Sequence, residues 1–288
     1  MSIIELVDVG FIYGKKSPYE IHALQNINLK IEEGCITGII GHTGSGKSTL
    51  VQIFNGLIRP DSGKVLVNGK DIWEKPKEIS KIRYIVGMVM QYPEYQLFAD
   101  TVWEDIAYGP RNMKVSEEEV KKRVERSAYF CGISKETLEK SPFDLSGGQK
   151  RRVALAGVMA MDPDVLVLDE PAAGLDPRGR REILGGIKEY REKSGKSVVI
   201  VSHSMEDMAM YCDTIAVMSH GKLIMHGDCK TVFSEKEMLA EAGLDVPEIT
   251  NTVHALRKRG IEISKSIYTV DGAVNAIKEY LRGDKNGL

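Results

Sequence analysis

The sequence predicts an α/β fold built on a largely parallel β-sheet. Short, almost uninterrupted apolar runs alternate with helical patterns, and such runs are typical of strands that are buried on both faces. The candidate strands of this sheet are residues 36–40, 85–90, 165–168, 198–201 and 214–218. The chain has 288 residues, of which 42% are hydrophobic, which is enough for a sizeable core.

The first part of the chain has a different pattern. Residues 3–9 and 27–31 alternate apolar and polar side chains, and glycine-rich turns flank residues 64–67. Alternation with a period of two is typical of strands with one buried face. An antiparallel β layer is therefore expected beside the parallel sheet.

Residues 92–163 predict a helical subdomain inserted between strands of the sheet. Ser116 and Glu119 form a capping-box pattern that begins a helix ending at Phe130, and a second helix is expected over 149–161. After residue 230 the pattern changes again, with helical stretches at 233–242, 253–259 and 270–281. We therefore expect one large domain at 1–230 and a small C-terminal region at 231–288.

Composition excludes several classes of function. Lys and Arg number 39 against 41 Asp and Glu, so the net charge is -2 and a basic nucleic-acid footprint is absent. No apolar run approaches the ~18 residues of a membrane span, and the first residues do not resemble a signal peptide. The cysteines, Cys35, Cys131, Cys212 and Cys229, form no C-x-x-C pair, so we expect reduced thiols and a cytosolic chain.

A glycine-rich loop joins the candidate strand 36–40 to a helical pattern over 48–57. Its sequence GHTGSGKS fits the Walker A pattern, in which backbone N–H groups and a helix N-terminus surround phosphate oxygens. Lys47 can reach the β- and γ-phosphates of ATP, and the Ser48 hydroxyl can bind Mg²⁺. The alternative is a glycine-rich turn without a ligand. The candidate nucleotide-binding residues of this loop are Gly41, His42, Thr43, Gly44, Ser45, Gly46, Lys47, Ser48 and Thr49.

Two adjacent acids end the apolar strand 165–168. Asp169 fits the Walker B role of holding Mg²⁺, and Glu170 fits the role of a general base that polarises the attacking water. The alternative is a solvated strand end before the turn at Pro171. Beside a Walker A loop, the catalytic interpretation is favoured.

The segment Leu145-Ser146-Gly147-Gly148-Gln149 makes the resemblance specific. Taken alone, it is a serine N-cap followed by flexible glycines. In this context it resembles the signature sequence of the ATP-binding cassette (ABC) ATPases, a resemblance that covers residues 3–227. It implies a P-loop NTPase core in which Ser146, Gly147, Gly148 and Gln149 contact the ATP bound by the opposite protomer.

The resemblance assigns further residues in order along the chain. Gln91 matches the Q-loop, which links Mg²⁺ to the helical subdomain, and Asp176 matches the D-loop. His203 matches the switch histidine, a catalytic residue together with Glu170 and Lys47. Tyr13 matches the aromatic residue that stacks on adenine, with Phe11 as the alternative. The implied metal ligands are Ser48, Gln91 and Asp169.

The extended Q-loop QYPEYQLF and the segment TVWEDIAYGP resemble the ATPases of energy-coupling factor (ECF) transporters, which take up vitamins or transition-metal ions. The resemblance implies a transmembrane coupling subunit, a substrate-binding membrane subunit and a place on the cytoplasmic face of the cell membrane. In that family an acid after the Q-loop meets basic residues of the coupling subunit. We expect Glu94 in this role, with Tyr95, Gln96 and Phe98 lining a groove.

The Q-loop run and the segment PAAGLDP look more like the second ATPase paralogue of these systems. A heterodimer with a sister ABC ATPase is expected, and a homodimer remains open. The alternatives are an ATPase of another ABC transporter, or a soluble ABC ATPase that acts on nucleic acid or ribosomes. The near-neutral charge argues against the latter and predicts no nucleic-acid partner.

Overall fold

The computed structural model describes residues 1–283, so residues 284–288 of the expected C-terminal region lie outside the described part. The strands are β1 (Ser2–Tyr13), β2 (Ile21–Glu32), β3 (Ile36–Gly41), β4 (Ser62–Val67), β5 (Lys70–Asp71), β6 (Val86–Val89), β7 (Val165–Asp169), β8 (Ser197–Val201), β9 (Thr214–Ser219) and β10 (Lys222–Asp228). The α-helices are α1 (Lys47–Phe54), α2 (Ile79–Ile85), α3 (Val102–Asn112), α4 (Glu117–Phe130), α5 (Lys135–Leu138), α6 (Gly147–Ala160), α7 (Pro177–Ser194), α8 (Met205–Tyr211), α9 (Cys229–Ser234), α10 (Lys236–Glu241), α11 (Glu248–Lys258) and α12 (Val270–Arg282).

The predicted parallel sheet is confirmed. Its strand order is β10-β9-β3-β8-β7-β6, and only the β10–β9 pairing is antiparallel. Every residue of β3, β7 and β8 is buried, as expected for strands covered on both faces. One boundary differs, because Ile85 ends α2 and the strand begins at Val86. The carboxyl ends of β3, β6 and β7 carry the P-loop, Gln91 and the Asp169–Glu170 pair.

The expected antiparallel layer is a second sheet with the order β2-β1-β4-β5. Strands β1 and β2 are longer than predicted and pair as far as Tyr13 and Ile21. A core between this layer and the parallel sheet contains Leu6, Leu50 and Val167, all buried. The long β1–β2 ribbon therefore brings Tyr13 to the edge of the P-loop.

The described residues between β6 and β7 contain helices and turns, with no strand. Helix α4 ends at Phe130 as predicted, and the Ser116 hydroxyl accepts the backbone N–H of Glu119 at 3.3 Å. The Glu119 carboxylate pairs with Arg123 at 2.7 Å instead of returning to the cap. Helix α6 begins at Gly147, so the signature glycines form its first turn.

The C-terminal helices differ from the sequence prediction in two places. The prediction of a single helix over 233–242 is wrong, because Glu235 takes a non-helical conformation and separates α9 from α10. Helix α11 begins at Glu248, directly after Pro247, where a helix was expected only from residue 253. Helix α12 agrees with the prediction. Among residues 1–283, no helix is both long and apolar enough to cross a membrane.

Candidate nucleotide-binding site

A pocket of about 410 Å³ lies where the P-loop meets the antiparallel layer. Its lining combines P-loop residues, the two acids at the carboxyl end of β7, an aromatic residue of β1, and side chains from the loops after β6 and β8. The sequence-predicted residues that line it are Tyr13, Thr43, Gly44, Gly46, Lys47, Ser48, Thr49, Gln91, Asp169, Glu170 and His203. Ile21, His22 and Ala23 of β2 also line the pocket and were missed, because only strand pairing brings them there.

The P-loop conformation depends on glycines in the left-handed region. Gly44 and Gly46 have φ values of 81° and 103°, and a Cβ atom on Gly46 would lie 2.5 Å from the Ala23 carbonyl oxygen. Lys47 begins α1, and its ammonium donates to the carbonyl oxygens of Gly41 at 2.6 Å and His42 at 3.0 Å. Burial lowers the pKa of Lys47, whereas Glu170 and Asp169 oppose that shift. A desolvated cation thus lies beside two acids.

Glu170 is held in a strained backbone conformation, with a φ value of 53°. Burial and then the neighbouring Asp169 raise the pKa of Glu170 to about 7, against the effects of Lys47 and Arg180. Its Oε1 atom is buried without a hydrogen-bond partner and lies 3.3 Å from His203 Nε2. Burial and Lys47 lower the pKa of His203, which favours its neutral form. A carboxylate that titrates near neutral pH is suited to general-base chemistry.

The pH dependence of hydrolysis is expected to report the raised Glu170 pKa. Because a general base must be deprotonated, kcat/KM should fall below pH 7 by about tenfold for each pH unit. ATPase rates at subsaturating ATP between pH 5 and 9 measure this limb. Equilibrium ATP binding over the same range separates it from ionisation of ATP itself. An acidic limb centred near the ordinary glutamate pKa would contradict the assignment.

The aromatic ring expected to meet adenine is Tyr13. Its hydroxyl lies 3.2 Å from the Thr49 hydroxyl, and its ring packs edge-on against Phe11 with centroids 4.8 Å apart. Phe11 does not line the pocket, whereas Tyr13 does. The geometry therefore favours Tyr13 over the alternative.

The signature and D-loop residues do not line this pocket. The Ser146 hydroxyl accepts the Gln149 backbone N–H at 3.4 Å, and the Gln149 side chain accepts the Ser146 backbone N–H at 3.0 Å. Asp176 caps α7 by accepting the Gly179 N–H at 2.7 Å. Ser146, Gly147, Gly148, Gln149 and Asp176 therefore lie on a surface outside the pocket. The P-loop residues Gly41, His42 and Ser45 are also absent from its lining.

The expectation for Glu94 needs correction. Its carboxylate forms a two-point ion pair with Arg151 of α6, at 3.2 Å and 3.0 Å, and their side chains are only 17% and 7% exposed. Arg151 also donates to the Ala173 carbonyl oxygen beside the D-loop. Glu94 therefore forms its ion pair within this chain and is not a free acid for a partner. The pairing was missed because 57 residues separate the two side chains.

Aromatic side chains beside Glu94 are exposed. Tyr95 and Phe98 are 84% and 59% exposed, and Phe98 packs edge-on against the exposed ring of Tyr108 at 4.9 Å. Gln96 is exposed as well. The side chains expected to line the groove are therefore accessible, whereas the carboxylate of Glu94 is not.

A P-loop after β3, an Asp–Glu pair at the carboxyl end of β7, a Q-loop glutamine after β6 and a separate signature helix define an ABC ATPase. The family model described as ABC transporter matches residues 24–173, and a model for an AAA domain matches residues 139–208. ATP-binding protein EcfA2 of the energy-coupling factor transporter from Caldanaerobacter subterraneus subsp. tengcongensis is 52% identical and covers 98% of this chain and 99% of its own. The protein of the same name from Clostridium perfringens is 50% identical, with 98% and 99% coverage.

Solved structures of ATP-binding cassette proteins are also similar to this chain. The structure of cbiO1 from Clostridium perfringens, described as part of the ABC transporter complex cbiONQ, has a TM-score of 0.75 and 40% identity, with 88% of this chain and 99% of that chain covered. An ATP-binding cassette in a dimeric post-hydrolysis state with ADP and Pi has a TM-score of 0.71 and 30% identity, with 78% and 98% coverage. The chain belongs to the ABC transporter family, and within it to the ATP-binding proteins of ECF transporters. It is an ATP-hydrolysing ATPase.

Proposed function

We propose that this ATPase powers an ECF-type importer of vitamins or transition-metal ions. ATP binding would close a dimer, and hydrolysis would permit it to reopen. The names of the relatives support the transporter class, and the description of cbiO1 as part of a larger complex supports an assembly with other subunits.

The observation that carries the proposal is the separation of the signature helix from the chain's own pocket. The first turn of α6 presents the exposed Gly147, with no heavy atom within 4 Å of where its Cβ would lie. A helix N-terminus with free backbone N–H groups is suited to an anion. This surface would therefore complete the ATP site of a second ATPase, whose own signature loop completes the site described above.

The residues around Asp169 fit a magnesium ion. Ser48, Asp169 and Gln91 offer hydroxyl, carboxylate and amide oxygens, which are the ligand types that Mg²⁺ prefers. Burial raises the pKa of Asp169, and the nearby Ser48 hydroxyl opposes that shift. The ion would neutralise charge on the phosphates. Among residues 1–283, no cluster of three or more His, Cys, Asp or Glu side chains offers a second metal site.

Within the closed site, three side chains would carry the chemistry. Lys47 would contact the β- and γ-phosphates, and Glu170 would accept the proton of the attacking water. His203, whose pKa is lowered by burial and by Lys47, would donate the single N–H of its neutral ring to the γ-phosphate. Such positioning and electrostatic contacts supply most of the catalysis in phosphoryl transfer.

The Glu94–Arg151 pair supports transmission from this site to the membrane. Arg151 links the segment after Gln91 to Ala173, which lies between Glu170 and the D-loop aspartate. The exposed Tyr95 and Phe98 would contact a transmembrane coupling subunit, which itself joins a substrate-binding membrane subunit. The ATPase would lie peripherally on the cytoplasmic face of the membrane. We further propose that residues 231–288 stabilise the dimer.

Affinity capture of the tagged chain from detergent-solubilised native membranes tests this function. We expect a sister ABC ATPase and a multispanning coupling protein by mass spectrometry. If the tagged and native copies of this chain are the only ATPases recovered, the dimer is a homodimer.

A matched variant makes the capture specific. Replacing Tyr95 and Phe98 by serine should abolish recovery of the membrane protein and retain the sister ATPase, because these rings are exposed and outside the nucleotide pocket. Recovery of ribosomes or DNA-binding proteins, with no membrane protein, would contradict the proposed function.

A further inference from the structure

The side chain of His42 is directed away from the nucleotide pocket. Its ring packs against His220, with centroids 4.7 Å apart, and its Nδ1 atom lies 2.8 Å from the Thr43 carbonyl oxygen. A carbonyl oxygen only accepts hydrogen bonds, so Nδ1 carries the proton of the neutral ring. Nε2 is then an acceptor, and the backbone N–H of His220 donates to it at 3.4 Å. The His42 side chain therefore contacts another loop, the one that contains His220.

His220 and Gly221 form the hairpin tip between β9 and β10, where Ser219 pairs with Lys222. Both tip residues have positive φ values, 48° and 75°, as a tight two-residue hairpin requires. In this conformation the backbone N–H of Gly221 donates to the Ser45 carbonyl oxygen at 3.0 Å. The hairpin tip thus donates hydrogen bonds to the P-loop at residues 42 and 45.

The hairpin tip is itself fixed by β2. Gln25 donates its backbone N–H to the Gly221 carbonyl oxygen at 2.8 Å and its side-chain amide to the His220 carbonyl oxygen at 3.1 Å. A Cβ atom on Gly221 would lie 2.8 Å from the Ala23 carbonyl oxygen, so the approach permits only glycine. Ala23 also lines the nucleotide pocket. The P-loop, the hairpin tip and β2 therefore form one packed unit.

We propose that His42 is a positioning residue for nucleotide binding, which acts by attaching the P-loop to the hairpin tip. The P-loop binds phosphate mainly through backbone N–H groups, and their directions depend on the shape of the loop. The bonds to His42 and Ser45 hold that shape from outside the pocket, before nucleotide arrives. Preorganisation of this kind improves affinity because less ordering remains to be done on binding.

Equilibrium binding of ATP and ADP to the purified full chain tests the proposal. Loss of one hydrogen bond in His42→Leu should weaken the binding of both nucleotides about five- to tenfold. His42→Gln should restore affinity, because its amide oxygen can accept the His220 N–H. His220→Asn tolerates the positive φ and keeps the backbone donor, so it should bind nucleotide as the wild type does.

The outcomes separate positioning from the alternatives. A loss confined to ATP would indicate a direct γ-phosphate contact, and equal weakening in His42→Gln and His42→Leu would remove the hydrogen bond from the explanation. Unchanged binding in His42→Leu would also overturn the proposal. Thermal unfolding of each variant shows whether the chain remains folded. The inference requires only nucleotide binding, so failure of the membrane-capture experiment would not affect it.

Discussion

Glu170→Gln is expected to lower kcat by about 10²–10⁴-fold, the usual contribution of a positioned general base. The substitution keeps the size of the side chain and removes its basicity. It also replaces a carboxylate, whose pKa is raised by burial and then by Asp169, with a neutral amide, so no new desolvation cost arises. ATP affinity should therefore be retained or improved.

Slow hydrolysis should make the ATP-bound dimer accumulate, because each nucleotide contacts both protomers in the proposed arrangement. Size-exclusion chromatography with and without ATP, on the chain with its captured ATPase partner, measures the dimer directly. Glu118→Gln is the matched control, since Glu118 is an exposed acid on α4 that pairs with Lys122 on the same helix. Wild-type turnover in Glu170→Gln would disprove the general-base role.

Much of the site could be predicted because its signals are local in sequence. The P-loop, the Asp169–Glu170 pair and His203 each follow a short buried strand, and parallel strands bring their carboxyl ends to one edge of a sheet. A pattern of a few residues therefore indicates both the element and the position of its functional side chain. A serine followed by two glycines likewise indicated the N-cap of α6 at Ser146.

The features that were missed depend on contacts between distant segments. Ile21 and Ala23 reach the pocket only because β1 and β2 pair over their full length, and Arg151 neutralises Glu94 from another element. The direction of the His42 ring is set by a turn 178 residues away. Neither periodicity nor motif spacing carries this information, since both describe neighbours along the chain.

Lys47→Ala is expected to weaken ATP binding and hydrolysis by at least about 100-fold, because loss of one preorganised donor to a charged group typically costs about 10²–10³ in rate. Lys47→Met is the companion variant and preserves the buried stem of the side chain. Isothermal titration with ATP and a steady-state ATPase assay measure the two effects. Lys122→Ala, which removes an exposed lysine on α4, should change neither.

The same lysine should link nucleotide binding to stability. The site without nucleotide contains a desolvated Lys47 ammonium and two acids whose pKa values are raised. The backbone of Glu170 is also strained. These features oppose folding of the free protein and favour its binding of nucleotide. ATP at 100 times its Kd should stabilise the wild type by about 2.7 kcal/mol, and the same ATP concentration should scarcely stabilise Lys47→Ala. Thermal unfolding with and without ATP gives this comparison. Equal stabilisation of both proteins would show that Lys47 does not contact the phosphates.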